Sequence, residues 1–438
     1  MISLNELKED LSTTTATESI GRIVSMNGQL IRVRIPYASV GNLCEIERPG
    51  LTSLRAQVVG FDGELATLSV LDRCNGVAAG LTVRSSAQNA VVKFNPAQFG
   101  QILDPLGKPL LKSNSAVCSN HGVALKLMAQ PPNPMERKRI SEQFFTGIKS
   151  IDGLCSLAAG QRMGLFAGPG IGKSTLLGMI ARNSSADVNV IALIGERGRE
   201  VREFVEDALG EEGLKKSILI VATSDETPIR RKLAACTATA IAEHYRACGK
   251  NVLLLFDSLT RYARAVRDVG FSSGELPVRQ GYTPSVYTEM PELLERAGCS
   301  AVGSITAIYT VLTANFDEMD ALSEEVKSLL DGHIVLSNTV AAEGIRPAVD
   351  IERSVSRLMN AIHTPEYLKV VSNVVKMIHT LRESKELLAL GGSLDEYSEN
   401  VIKLEGEIKN ALNQGIQDTA QIDNTREMFR ELSRHLIA

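Results

Sequence analysis

Hydrophobic positions recur along this chain with three different rhythms. From Ser19 they alternate with polar ones: Gly21-Arg22-Ile23-Val24 and Leu30-Ile31-Arg32-Val33-Arg34-Ile35 flank Asn27-Gly28, a hairpin signal. Leu43–Ile46, Ala56–Val59 and Ala66–Val70 continue the alternation, with Asp62-Gly63 as a further turn. Short strands at this spacing predict a small β-barrel over residues 19–85. Between residues 140 and 360 the pattern becomes apolar runs separated by helical spacings. The predicted strands are Met163–Phe166, Val188–Ile194, Ile218–Ala222, Val252–Phe256 and Ser304–Leu312. Runs apolar on both faces, alternating with helices, predict a parallel sheet covered by helices. Past residue 360 the period is helical. Tyr367, Val370, Val371, Val374, Val375, Ile378 and Leu381, then Leu404, Ile408 and Leu412, predict a helical domain over 361–438.

Two stretches carry little pattern. Residues 1–18 read as a short helix (Leu4, Leu7, Leu11) running into Ser and Thr, and residues 86–139 read as a connector. Within that connector, Gly100–Leu110 is rich in turn residues, and Pro131-Pro132-Asn133-Pro134 suits neither a helix nor a central strand. The predicted class is therefore α/β: an N-terminal β-barrel, a helix-covered parallel sheet over 140–360 and a C-terminal helical domain.

Composition narrows the function classes. At 438 residues the chain exceeds what one core supports. Hydrophobic residues form 44% and charged residues 22%, as in soluble globular proteins. A formal net charge of −4 argues against a whole-chain nucleic-acid binder, and 4% aromatics with no Trp leave few platforms for stacking bases. No apolar run approaches the roughly 20 residues of a membrane span. The N-terminus, rich in Thr, Ser and Glu, lacks the layout of a signal peptide, so a cytoplasmic protein is expected. The seven cysteines and six histidines are scattered without a C-x-x-C pair, which argues against a zinc site or a disulfide framework.

The chemistry concentrates in Ala167-Gly168-Pro169-Gly170-Ile171-Gly172-Lys173-Ser174-Thr175, between a predicted strand and a predicted helix. A glycine-rich turn in that position aims backbone N–H groups at one spot, at the positive end of a helix dipole, and such a spot binds phosphate. Lys173 adds a full charge near the outer phosphates, and the Ser174 hydroxyl suits Mg2+. Val252–Phe256 ends in Asp257, the carboxylate expected beside a phosphate loop to hold Mg2+. Val188–Ile194 leads to Gly195-Glu196-Arg197-Gly198-Arg199-Glu200, which puts Glu196 on the rim where ligands bind and where it can polarise an attacking water.

These segments, with Asp257-Ser258-Leu259-Thr260-Arg261-Tyr262-Ala263-Arg264-Ala265, resemble the type III secretion ATPases, a family related to the flagellar export ATPase and more distantly to the catalytic subunit of rotary ATP synthases. Gly281–Val286, Gly303–Ala307 and Leu330–Ser337 carry the likeness further. The resemblance implies a RecA-like core, ATP and Mg2+ as ligands, and a homohexamer with its sites between subunits. It implies that Gly168 to Thr175 bind nucleotide and that Arg197 supports the phosphate site. Pro347–Arg357 matches the segment that lends a neighbour an arginine finger, which implies Arg357. It further implies stalk and stator partners, chaperone–cargo complexes, a peripheral position at the inner membrane, and a channel-lining role for Tyr282–Val286. Two positions depart from the relatives. Ala167 replaces the first loop glycine, and Arg346 stands where an aromatic usually packs on adenine; a guanidinium can stack there instead.

The leading expectation is ATP hydrolysis that powers a type III export apparatus, releasing chaperones from cargo and unfolding it. The short N-terminal segment and Ala222-Thr223-Ser224-Asp225 favour the virulence-type branch over flagellar export. Gly198 and Val201 favour the export branch over an ATP synthase subunit. A hexameric RNA translocase would need base-stacking residues in the barrel, where only Tyr37 and Phe61 are aromatic. An inactive scaffold would not need Lys173, Glu196, Asp257 and Arg357 together. The acidic run Asp317–Asp320 reads as a solvated loop.

Overall fold

The computed structural model describes residues 19–89, 91–96, 99–111, 122–313, 316 and 320–435. The expectations for residues 1–18 and for 317–319 lie outside the described residues.

Six strands, β1 (Ser19–Asn27), β2 (Leu30–Arg34), β3 (Asn42–Ile46), β4 (Leu54–Asp62), β5 (Leu65–Val70) and β6 (Thr82–Asn89), close into an antiparallel barrel of order β1-β2-β5-β4-β3-β6. Its hairpin turns form where the sequence placed them. Asn27 pairs with Leu30 around Gly28 at φ 61°, and Asp62 with Leu65 around Gly63 at φ 59°, conformations that glycine adopts without a Cβ penalty. The alternating apolar positions, Ile23, Ile31, Val33, Ile46, Ala56, Leu68 and Val83, fill the interior.

The connector contributes more structure than its sequence announces. β7 (Val91–Phe94) pairs with β9 (Val123–Lys126), and β8 (Ile102–Leu103) joins the edge of the central sheet. A two-residue strand leaves no period to read. β10 (Gln143–Phe144) and β11 (Leu157–Ala158) make a small antiparallel pair before the core.

The central sheet contains β12 (Arg162–Ala167), β13 (Val188–Glu196), β14 (Ser217–Thr223), β15 (Asn251–Asp257), β17 (Ser304–Leu312), β18 (Gly332–Leu336) and β19 (Val349–Ser356), in the order β19-β18-β12-β17-β15-β13-β14-β8. The short β16 (Gly298–Cys299) pairs beside β17. The five predicted strands are all present, four of them lengthened by two residues and Ser304–Leu312 unchanged. The sheet is parallel through its centre, as expected, with two antiparallel additions: β19 beside β18 at the edge and the short β16 beside β17. Asp350, Glu352, Arg353 and Ser354 interrupt the apolar residues of β19, so it lacks the continuous apolar run of its neighbours.

Both sheet faces are buried, and alternate residues serve separate cores. On one face lie Val190, Ala192, Leu254, Phe256, Ala307 and Tyr309. On the other lie Leu165, Ile191, Leu193, Leu253, Leu255 and Ile308, packed against the helix Lys173–Asn183. The same core continues into the C-terminal helices. There Thr364 caps the helix Pro365–Ala389, with Pro365 in its first turn, and Gly391 at φ 81° ends it. The last described helix, Ile422–Arg434, seats Phe429 against Gly153, where any Cβ would stand 2.3 Å from the ring.

Candidate active site

β12 delivers the chain to Gly168, and the helix Lys173–Asn183 carries it away. Between them Gly170 and Gly172 take φ 74° and 96°, and a Cβ on either would meet no atom within 4 Å. The backbone conformation therefore demands these glycines, and they face open space. Ile171 is buried and anchors the loop to the core, Pro169 and Ser174 are exposed, and Lys173 and Thr175 are half-buried.

Alternation along the strands then decides which side chains meet. Asp257 follows Leu253 and Leu255, so it emerges on the face that carries the phosphate-loop helix. There its Oδ1 receives the Lys173 ammonium and, at 2.8 Å, the Thr310 hydroxyl. Simple alternation from Ile194 would send Glu196 to the opposite face. A β-bulge at Gly195, with φ 72°, turns it back. Glu196 Oε1 stands 3.7 Å from Lys173 Nζ, and Arg261 bridges Glu196 Oε2 at 3.2 Å and the Gly195 carbonyl.

The cluster pairs two cations with two carboxylates in a recess where Lys173, Glu196 and Asp257 keep only 12%, 11% and 4% of their side-chain exposure. Burial first, then the Asp257 charge, push the Glu196 carboxyl up to about 7 against the pull of Lys173. Its hydrogen bond to Glu196 holds Glu200 below the ordinary carboxylate range. Helix-end amides and an ammonium for an anionic tail, with a carboxylate for water, make a phosphate-binding and hydrolytic arrangement. The oxygens of Ser174 and Asp257 suit Mg2+, which keeps much of its coordination for water and phosphate. No group of three or more His, Cys, Asp or Glu able to hold a metal occurs among the described residues.

A model of the ATP synthase alpha/beta family, nucleotide-binding domain, matches residues 147–356. The type 3 secretion system ATPase of Xanthomonas euvesicatoria is 40% identical over 432 residues, 98% of this chain and 97% of that protein. The chain belongs to the family of type III secretion and flagellar ATPases. The flagellum-specific ATP synthase of Treponema pallidum (strain Nichols) is 42% identical over 411 residues, 93% of this chain and 91% of that protein. The assembled ATPase EscN from the enteropathogenic E. coli type III secretion system superimposes with a TM-score of 0.87 at 40% identity, covering 94% of this chain and all of that one. EscN in complex with its central stalk EscO gives 0.86 at 41%, with the same coverage. This protein is accordingly an ATPase, and its hydrolysis serves type III protein export.

Within this ATPase, Lys173, Glu196 and Asp257 meet beside the phosphate loop, while Arg197, Arg346 and Arg357 stand apart from it. Arg197 is 73% exposed and pairs with Glu200 at 3.1 Å. Arg346 donates from its guanidinium to the Ala341 and Ile345 carbonyls, and its backbone N–H donates to Asn413. Arg357 follows Ser356, which pairs with Gly332 where β18 begins, and its own N–H donates to the Asp331 carbonyl. Arg162, at the start of β12, is held by the Asp331 carboxylate. Arg357 thus leaves the sheet at the end opposite the phosphate loop, roughly 17 Å away along β12. In the Tyr282–Val286 segment Tyr282 and Val286 are buried, and the exposed apolar Leu276 and Val278 lie ahead of it. Sequence reasoning passed over Arg261, Thr310 and the Gly195 bulge. Arg261 sits inside the Asp257–Ala265 motif, but its partner Glu196 comes beside it only when the strands are assembled.

Proposed function

We propose that this ATPase works as a homo-oligomeric ring, each site combining Lys173, Ser174, Glu196 and Asp257 of one subunit with Arg357 of its neighbour. The observation that carries this reading is the position of Arg357, exposed at the far end of the strands from its own phosphate loop. A finger so placed cannot serve its own subunit; it can serve the next one. The assembled EscN, and EscN with its central stalk, support self-assembly and a stalk partner for this chain.

In the cycle, the loop amides and Lys173 bind the outer phosphates, Ser174 and Asp257 hold Mg2+, and Glu196 orients the water. Arg197 moves from Glu200 to the phosphate site, and Arg346 borders the base. Mg2+, when bound, supplies charge neutralisation across the phosphates. Trans-supplied arginines contribute roughly 10³ to 10⁵ in rate, which ties turnover to assembly. The work done is chaperone release and cargo unfolding at the cytoplasmic face of the inner membrane, where stator proteins hold the ring. Flagellar export is the second reading, favoured by the 42% identity to the Treponema protein.

Mixing subunits tests the interface. Lys173→Ala and Arg357→Ala should each be nearly inactive alone, yet recover activity when mixed, because some interfaces then pair an intact loop with an intact finger. Two inactive proteins that stay inactive after mixing and verified co-assembly overturn the reading.

A further inference from the structure

β17 reads Ser-Ile-Thr-Ala-Ile-Tyr-Thr-Val-Leu and is buried along nearly its whole length. Thr310 is completely buried in it, between Tyr309 and Val311. Valine has nearly the same shape, and it would spare the chain the cost of burying a hydroxyl, so the oxygen itself needs a reason. Register supplies one. β15 and β17 pair from Asn251↔Ser304 to Phe256↔Tyr309, and the next step along that ladder sets Asp257 beside Thr310. The Thr310 hydroxyl lies 2.8 Å from Asp257 Oδ1 and 3.3 Å from the Phe256 carbonyl. Close by, the Leu312 N–H donates to the Thr260 hydroxyl at 2.9 Å, tying the end of β17 to the helix Leu259–Ser272 that begins just beyond Asp257.

We propose that Thr310 is a positioning residue for the metal-side carboxylate, pinning Asp257 through Oδ1 so that Oδ2 stays available to Mg2+ once Lys173 turns to the phosphates. The inference rests on the assignment of Asp257 as a Mg2+ residue. Both observed contacts of the carboxylate fall on Oδ1, and among the described residues Oδ2 carries no hydrogen bond. One Oδ1 contact is the ammonium that nucleotide must draw away. The other comes from a buried strand whose hydroxyl keeps its place through that exchange. A free carboxylate would rotate and lose rotamer entropy on each binding event; a pinned one is already aimed.

The test separates metal from nucleotide. Binding of a fluorescent ADP analogue is titrated in Mg2+ and in EDTA for the wild type, Thr310→Val, Thr310→Ser, Asp257→Asn and Ile308→Val. Mn2+ uptake by the ADP-loaded proteins is followed by electron paramagnetic resonance. Thr310→Val should lose about ten-fold of the affinity that Mg2+ adds, on the scale of a hydrogen bond to a charged group, with EDTA binding unchanged. Thr310→Ser should restore it. Ile308→Val, a smaller side chain on the same buried face, should keep the full Mg2+ gain even if its melting point falls, which separates packing from positioning. If Thr310→Val keeps the gain while Asp257→Asn loses it, Thr310 only satisfies the Phe256 carbonyl and the proposal is overturned. If Asp257→Asn also keeps the gain, it is the metal assignment of Asp257 that has failed.

Discussion

The Lys173 ammonium is bonded to Asp257 Oδ1, so the group that should grip a phosphate is held by the group that should hold the metal. Nucleotide binding exchanges one anion for another at Lys173. We expect Lys173→Ala to lower ATP turnover at least about 100-fold, the scale of losing one preorganised charge partner. Phosphate release under saturating ATP measures this directly. Near-normal hydrolysis would remove the residue from the site.

Gly195 bends β13 so that Glu196 points to Lys173. Gly195→Ala has to hold φ 72° with a Cβ, which costs about 1–2 kcal/mol, and places that Cβ 2.9 Å from Arg261 Cδ. If Glu196 orients the water as proposed, misaiming it should reduce kcat by at least about ten-fold. Gly198→Ala, with no atom within 4 Å, should stay close to the wild type. Steady-state kinetics on the two variants decide the matter; equal behaviour would mean that the bulge does not aim Glu196.

The C-terminal helices depend on Gly153. Gly153→Ala drives a methyl group into Phe429, which is fully buried, and should destabilise the protein by about 1–3 kcal/mol. Hydrogen exchange should quicken first in Ile422–Arg434. Protection lost uniformly across the chain would contradict this local origin.

His363 gives the stability a pH dependence. Burial first, then Arg426, hold its imidazole down to about 4, against 6.5 for the ordinary side chain, while its ring nitrogen meets the Ser156 hydroxyl at 2.8 Å. The unfolded chain therefore binds the proton more readily. This contribution is complete above about pH 6.5 and is lost as pH falls toward 4. Asp152, which burial pushes up to about 6, acts in the opposite sense, so the His363 share is read by difference. The gap in unfolding free energy between the wild type and His363→Gln should narrow from pH 7 to pH 4.5. A constant gap would rule out the buried neutral imidazole.

Much of the architecture was written locally. Asn27-Gly28 and Asp62-Gly63 are turns because of their own backbone preferences, and Thr364, Pro365 and Gly391 bound a helix through their immediate neighbours. The phosphate loop is the clearest case. The Gly168–Thr175 run carries its own conformation, so its chemistry needs nothing distant. β18 was missed because Gly332 and His333 leave it an apolar run of just Ile334–Leu336, and β19 because the charged Asp350, Glu352 and Arg353 break its apolar pattern.

The amino-acid order by itself thus determined the layers, the loop and the identity of the groups able to bind phosphate. Tertiary structure decided which of those groups stand together. A strand apolar on both faces gives no sign of which face its last residue will take; Asp257 was placed by the pairing of β15 with β17, and Glu196 by a bulge at Gly195. Arg357 reads like any other arginine until β19 turns antiparallel and carries it to the opposite end of the sheet. Strand direction and register are properties of paired strands, and they set those positions.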